Sequence, residues 1–292
     1  MTSIDLSQYD VPGRGRGILD VFHWSYLLRL LVRKGTATRY RNSVLGWTWS
    51  YVKPGIQYLV YFLVMGIILG MGGRTENFPL YLFAGIVVVN FFNEGFGNAT
   101  NAIVDNRSLV QKIYLPRELF PISAIIVAFI HFLPQVAILL IVAVFIYGWV
   151  PSFVGIGAAL VGVFIVGSMA LGLGLFFAGI NVRYRDAQNF VEVIRMVSTW
   201  ASPVLYTWTL VAERMHGWVL YVYMMNPLTV AVELFHFAFW ESTVSSDAEN
   251  ASPGFPPHFE VYLIAALVVC ALALTIGQFV FRRFERTFAQ DL

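Results

Sequence analysis

Long apolar segments alternate with shorter polar segments along most of this chain. A hydrocarbon core of about 30 Å is crossed by roughly 20 apolar residues of helix, and the pattern predicts six crossings. They are Gly55–Met71, Pro79–Gly97, Leu119–Tyr147, Phe153–Ile180, Val193–Thr209 and Phe259–Phe281. The sequence therefore predicts an all-α integral membrane protein, with an N-terminal segment at residues 1–52 and a six-span transmembrane domain at residues 53–292.

The basic residues are distributed unevenly among the connections. Of the 19 Lys and Arg residues, all but Arg74 and Arg214 belong to four regions: the N-terminal segment, the connection after the second span, the region after the fourth, and the tail. Lys and Arg near span ends stay on the cytoplasmic side. We therefore predict a multi-pass protein of the cell inner (plasma) membrane with both termini in the cytoplasm.

A further apolar stretch, Gly217–Trp240, is long enough to span but is interrupted at Asn226 and Pro227. Proline removes a helix hydrogen bond and disfavours helical geometry in the residue before it. A seventh crossing would also place the basic tail outside, against the charge rule. The pattern predicts a re-entrant or interfacial helix pair on the external side, whose broken backbone must face protein or water.

The segment Ile18–Lys34 predicts a helix with a narrow polar stripe of Ser25, Arg29 and Arg33 on an otherwise apolar surface. Such a helix lies along a membrane surface, here the inner leaflet. The alternative is a lipid anchor with no other role.

Small residues spaced by four recur in the fourth predicted span, and this spacing lets helices approach closely. The pairs are Ala158/Gly162, Ser168/Gly172 and Gly174/Ala178. They predict helix packing, not a binding site.

Composition and motifs exclude several kinds of chemistry. The chain is 58% hydrophobic and 12% charged with a mean hydropathy of +0.69, unlike a soluble domain. It lacks the Gly-Lys dipeptide of a phosphate-binding loop, and its single Cys270 rules out an internal disulfide. His131 and Glu94 are ionisable groups in predicted spans, where such groups are functional hypotheses by default. The alternatives are a neutral histidine bonded to a neighbouring helix and a carboxylate that reaches the interface.

Aromatic residues make up 16% of the chain. Trp47, Tyr51, Tyr58 and Phe62 have the spacing of one helix face, and Trp200 and Trp208 lie on either side of Pro203. Aromatic faces can stack on sugar rings while tyrosine and tryptophan add polar edges. The alternative is an interfacial aromatic belt.

Five segments occur in an order that resembles the permease subunit of a type-two ABC exporter, in the branch that exports polysaccharides such as O-antigen and teichoic acid. They are Arg39–Gly55, Asn101–Pro121, Asn181–Phe190, Ser202–Tyr206 and Met225–Phe235. The resemblance implies a homodimer bound to two copies of a separate ABC ATPase subunit. ATP and Mg would be held by that subunit, and this chain would hold no cofactor or metal. The implied ligands are a lipid-linked polysaccharide and membrane lipids, with no nucleic acid.

The resemblance also implies roles for particular residues. A short helix at Ala102–Gln111 would couple to the ATPase, and the coupling residues are Asn101, Asp105, Arg107 and Lys112. A cytoplasmic gate would contain Arg183, Tyr184, Arg185 and Asp186. The channel aromatics would be Trp47, Tyr51, Tyr58, Phe62, Trp200 and Tyr206. Plainer alternatives are a solvated loop for the first set and positive-inside topology for the arginines of the second.

The sequence leaves two rival functions open. One is a drug or lipid exporter of the same superfamily, and the other is a membrane-embedded glycan-modifying enzyme, for which no carboxylate pair or metal cluster presents itself. Arginine outnumbers lysine 16 to 3, which indicates a high-GC bacterium and, with the resemblance, an actinobacterial galactan as cargo.

Overall fold

The computed structural model describes residues 21, 23–38, 46–112, 115–245 and 254–291, and in these ranges all regular structure is helical. The helices are α1 Ser25–Thr38, α2 Trp49–Tyr61, α3 Phe78–Asp105, α4 Arg107–Lys112, α5 Leu119–Tyr147, α6 Phe153–Arg183, α7 Ala187–Trp200, α8 Trp208–Arg214, α9 Trp218–Met224, α10 Pro227–Phe239, α11 Phe259–Glu285 and α12 Phe288–Asp291. A π-helix, Phe62–Ile68, continues α2. The predicted fold class is confirmed.

Five of the six predicted spans are helices long and apolar enough to cross a membrane, and several are longer than predicted. The helix α3 runs to Asp105, so its 28 residues extend about 42 Å, well beyond the hydrocarbon core. Of the predicted lead helix, residues 18–20 and 22 lie outside the described residues, as do residues 39–45 of the first family-like segment. The described part of the lead helix begins at Ser25 and continues past Lys34 to Thr38.

The fifth predicted span, Val193–Thr209, is wrong as a continuous helix. α7 ends at Trp200, irregular backbone follows over residues 201–207, and α8 begins at Trp208. Pro203 cannot donate a helix hydrogen bond, and it disfavours helical geometry at Ser202. Hydropathy alone cannot detect this interruption because the irregular segment is itself largely apolar.

The connections gather at two ends of the helical bundle. At one end, called the basic end, Lys34 Nζ donates to Asn106 Oδ1 at 2.7 Å, and α12 packs against α4. At the opposite end, the indole N–H groups of Trp149 and Trp240 donate at 2.8 Å to the carbonyls of Ala238 and Glu76. The described residues therefore group as the charge pattern predicts.

The break predicted at Asn226 and Pro227 is confirmed, since the helices on either side of it are bent by 64°. Trp208, which precedes the pair, donates its indole N–H to the carbonyl of Gly254, which follows it. The chain therefore enters and leaves the helix pair at the same end of the bundle, as it does in a re-entrant element.

The core forms around α3, which packs against α5, α6 and α10. Three small residues of α6 each face a different helix. A Cβ at Gly162 would lie 3.1 Å from Phe235 of α10, one at Gly174 would lie 2.5 Å from Ala99 of α3, and one at Gly172 would lie 2.6 Å from the α11 backbone. The predicted role of this spacing in helix packing is confirmed at these positions.

Candidate functional site

The region predicted to couple to an ATPase is a corner between two helices. The predicted single helix Ala102–Gln111 is wrong, because its first four residues are the last turn of α3 and a separate α4 begins at Arg107. Asn106 lies between them with φ −111° and ψ 21°, and its Nδ2 donates to the carbonyl of Ala102 at 2.8 Å. Asparagine competes for backbone groups in this way and ends helices. We call Asp105–Lys112 the coupling corner.

The helix α4 has one packed side and one open side. Val110 is buried in a cluster with Phe288 of α12 and Ile103 of α3. Arg107 and Lys112 are exposed, as is Asp105 at the end of α3. The corner therefore presents charged side chains outward while apolar contacts fix its orientation.

Asn101 does not belong to α4 but joins the coupling corner to the predicted gate. Its Oδ1 accepts hydrogen bonds from Asn181 Nδ2 at 3.1 Å and from Gln188 Nε2 at 2.6 Å. Asn181 lies in α6 and Gln188 in α7, on either side of the turn between them. These hydrogen bonds therefore couple the position of α3 to the turn between α6 and α7.

The gate segment, Arg183–Asp186, forms the turn between α6 and α7 at the basic end. All four of its side chains are exposed, and the Arg183 guanidinium lies 5.6 Å from the centre of the Tyr184 ring. The carbonyl of Asp186 accepts a hydrogen bond from the N–H of Asn189 at 3.0 Å in the first turn of α7. Exposed guanidinium groups can form paired hydrogen bonds to carboxylates or phosphates.

The predicted channel aromatics separate into two groups. Tyr58 and Phe62 stack at 6.3 Å and face α3, where the Tyr58 hydroxyl donates to the carbonyl of Pro79 at 3.2 Å. Tyr51, about two helical turns before Tyr58, is half-buried. The side chain of Trp47 lies outside the described part of the chain.

The second aromatic group connects α2 with the irregular segment. Trp200 is half exposed and meets the edge of Tyr61 at 6.4 Å, and the Tyr206 hydroxyl donates to the Trp200 carbonyl. Sequence reasoning missed Tyr61 because it lies one residue before Phe62, off the face that the spacing defines. Tyr61 contacts Trp200 because this side of α2 faces α7.

A polar network lies between α3, α5 and α7, within the predicted spans. His131 Nδ1 lies 2.6 Å from Glu94 Oε1, so the histidine is bonded to a neighbouring helix. Arg195 of α7 lies against Gly97, where a Cβ would be 2.9 Å from its guanidinium, and it interacts electrostatically with Glu94. Ionisable groups at membrane depth require such partners.

Sequence reasoning treated these three groups separately. It counted Arg195 with the basic connections, whereas the structure places it on α7, half-buried against α3. The one available signal was Gly97, three residues after Glu94 on α3, which leaves room for a large side chain. Nothing in the sequence says that this side chain comes from α7.

The irregular segment at residues 201–207 is held by side chains from two helices. The hydroxyl of Tyr81 lies 2.8 Å from the Pro203 carbonyl oxygen and 2.9 Å from that of Tyr206. Asn226 Nδ2 donates to the Ala201 carbonyl at 3.2 Å, while its Oδ1 accepts from the N–H of Leu228 and caps α10. Side chains of α3 and of the Asn226 break therefore satisfy backbone carbonyls of the irregular segment, as broken helices within a membrane require.

Within the described ranges, no three His, Cys, Asp or Glu side chains are grouped so that they could hold a metal ion. The exposed charges of the coupling corner and the gate segment lie at the basic end, and the re-entrant elements lie toward the opposite end.

Comparison with known proteins agrees with this architecture. The family model described as "ABC-2 type transporter" matches residues 26–240. The chain is 26% identical over 277 residues to an O-antigen export system permease protein RfbA of Myxococcus xanthus, covering 95% of this chain and 99% of that protein. It is 24% identical over 278 residues to an RfbA of Klebsiella pneumoniae, covering 93% and 98%. The resemblance seen in the sequence is confirmed, and the chain belongs to the ABC-2 type transporter family.

Proposed function

We propose that this protein is the membrane subunit of an ATP-driven exporter that carries a lipid-linked polysaccharide out of the cytoplasm. The observation that carries this proposal is the similarity to O-antigen export permeases over nearly the whole of both chains. The described residues add a two-ended bundle in which charged docking elements and aromatic, re-entrant elements lie at different ends.

The basic end would face the cytoplasm and receive the ATPase subunits. The positive-inside rule supports this orientation, and Arg107 and Lys112 are exposed on α4 at the same end as the gate segment. ATP and Mg would be bound by the partner, whose closure would push on α4. The contacts of Val110 with Phe288 and of Asn101 with Gln188 would pass that push to α12 and α7.

We further propose a homodimer with the transport path between two copies. The helix α3 is enclosed by α5, α6 and α10, while α2 and α7 leave most of their surface uncovered. Phe190, Met196 and Trp200 are exposed along α7. Two copies joined along α2 and α7 would bring the Tyr61 and Trp200 groups to a shared path for sugar rings.

Deletion of the gene tests the cargo. We expect lipid-linked glycan to accumulate in the cytoplasm and surface polysaccharide to fall, with both restored by the wild-type gene. Unchanged surface polysaccharide without accumulation would refute the proposal. That the glycan is a galactan stays a prediction from amino-acid usage.

Aromatic substitutions separate this function from drug or lipid export within the same family. Replacing Tyr61 and Trp200 with leucine keeps an apolar surface but removes the ring faces that stack on sugars. Glycan export should fall, whereas export of an apolar cargo should persist. Leucine at Phe164, an exposed position on α6, is the control and should leave export intact.

A further inference from the structure

A cavity of about 520 Å³ lies at the basic end, beneath α1 and between α3 and α5. Its volume is in the range of small-molecule sites. The side chains of Leu31, Phe120 and Val127 form much of its apolar wall, and Lys34, Asp105 and Asn98 contribute polar groups. It could hold on the order of ten waters, which would find few polar partners along the apolar wall. An alkyl chain suits that wall better.

The charges of the cavity are concentrated at its mouth. Lys34 and Asp105 are both exposed and interact electrostatically, and Lys34 Nζ also donates to Asn106 Oδ1 at 2.7 Å. Asp105 is the last residue of α3, whereas Val127 lies about two turns into α5, toward the middle of the membrane. The site therefore has one positive and one negative charge at the membrane surface, and below it a largely apolar wall in which Asn98 and Ser123 are the polar groups.

This charge pattern identifies the class of ligand. A headgroup with one phosphate and one ammonium complements an adjacent lysine and aspartate, since each charge meets its opposite. A purely anionic headgroup, including the pyrophosphate of a glycan carrier, would meet Asp105 unfavourably. A cavity beside an interfacial helix is also at the depth where glycerophospholipid chains begin.

We propose that this cavity binds one zwitterionic glycerophospholipid, with its phosphate at Lys34, its ammonium at Asp105 and one acyl chain between α3 and α5. Lys34 is also bonded to Asn106 at the coupling corner. A lipid held at Lys34 therefore stabilises the contact between α1 and the start of α4. This site is separate from the proposed polysaccharide path, and it stands whatever the exported cargo is.

The test uses the purified full chain in phosphatidylglycerol vesicles that contain a little phosphatidylethanolamine with a photoreactive diazirine in its acyl chain. We expect labelling of peptides within residues 98–127. Ala124→Trp places an indole in the cavity and should reduce labelling about tenfold, because it displaces about two methylenes of the chain. Ala137→Trp is the matched control, since Ala137 is exposed on the same helix, and its labelling should equal wild type.

A second variant does not depend on packing. Asp105→Asn removes the charge that meets the ammonium and should abolish the preference for phosphatidylethanolamine over phosphatidylglycerol, measured by native mass spectrometry. Equal labelling of wild type and Ala124→Trp, or an unchanged lipid preference in Asp105→Asn, would overturn the proposal. Displacement of the probe by an equimolar isoprenyl pyrophosphate would also overturn it, since the occupant would then be the glycan carrier.

Discussion

The contact between α6 and α11 gives the sharpest prediction for stability, because two glycines face each other there. A Cβ at Gly277 would lie 2.1 Å from the carbonyl oxygen of Gly172, and its neighbours are backbone atoms that no rotamer change can move away. Ordinary contact begins near 3.4 Å, so Gly277→Ala must separate the two helices by about 1 Å. This contact is the most extensive between any two described helices.

We expect Gly277→Ala to lower the free energy of unfolding by about 1–3 kcal/mol, the usual cost of overpacking, and by more if the helices cannot shift. Gly157→Ala is the control, since Gly157 lies in α6 with nothing within 4 Å of an added Cβ. Its effect should range from neutral to about 1 kcal/mol stabilising, through helix propensity alone.

Unfolding of both variants in mixed micelles, followed by circular dichroism, makes the comparison. The difference between the two variants isolates the steric term, because both exchange glycine for alanine within a helix. A Gly277→Ala protein as stable as the Gly157→Ala protein would refute the close approach of α6 and α11.

Three further predictions address the other contacts. Phe288→Ala should leave the chain in the membrane but reduce ATPase-driven export, since it removes a fully buried side chain behind α4 at a cost of about 3–5 kcal/mol; unchanged export per ATP hydrolysed would contradict this. Glu94→Gln should destabilise the bundle by about 1–3 kcal/mol, because His131 and Arg195 lose a charged partner, and His131→Gln should add little more; additive losses in thermal melts would show that the two side chains do not act together. Asn226→Asp keeps the cap of α10 but loses the hydrogen bond that Asn226 donates to the Ala201 carbonyl, so it should impair export. Asn226→Ala also loses the cap and should be about 1 kcal/mol less stable than Asn226→Asp. Equal stability of the two variants would argue against the cap.

The sequence predicted contacts well where one residue type imposes one geometry. Proline placed the break at Asn226, and the small residues of α6 marked positions where other helices approach closely. Both arguments rest on local sterics, which act whatever the partner is.

Predictions failed where the outcome depends on what lies nearby. The segment Val193–Thr209 was predicted as one helix because its composition is apolar, yet Tyr81 and Asn226 supply hydrogen-bond partners that allow its backbone to open. Unpaired backbone groups cannot persist in a membrane, so these partners decide where α7 ends. The helix Ala102–Gln111 divides at Asn106, whose side chain bonds the Ala102 carbonyl and also accepts from Lys34, a distant part of the chain.

The sequence alone determined the membrane class, the grouping of connections at two ends and the family, because hydropathy, charge and motif order are properties of the linear chain. Tertiary structure alone decided that Glu94 meets His131, that Asn101 joins α3 to the turn between α6 and α7, and that Lys34 lies at the mouth of a cavity. The physical reason is that apolar burial in lipid depends on composition, whereas a hydrogen bond or an ion pair requires two particular groups within about 3 Å, and packing of the helices sets that distance.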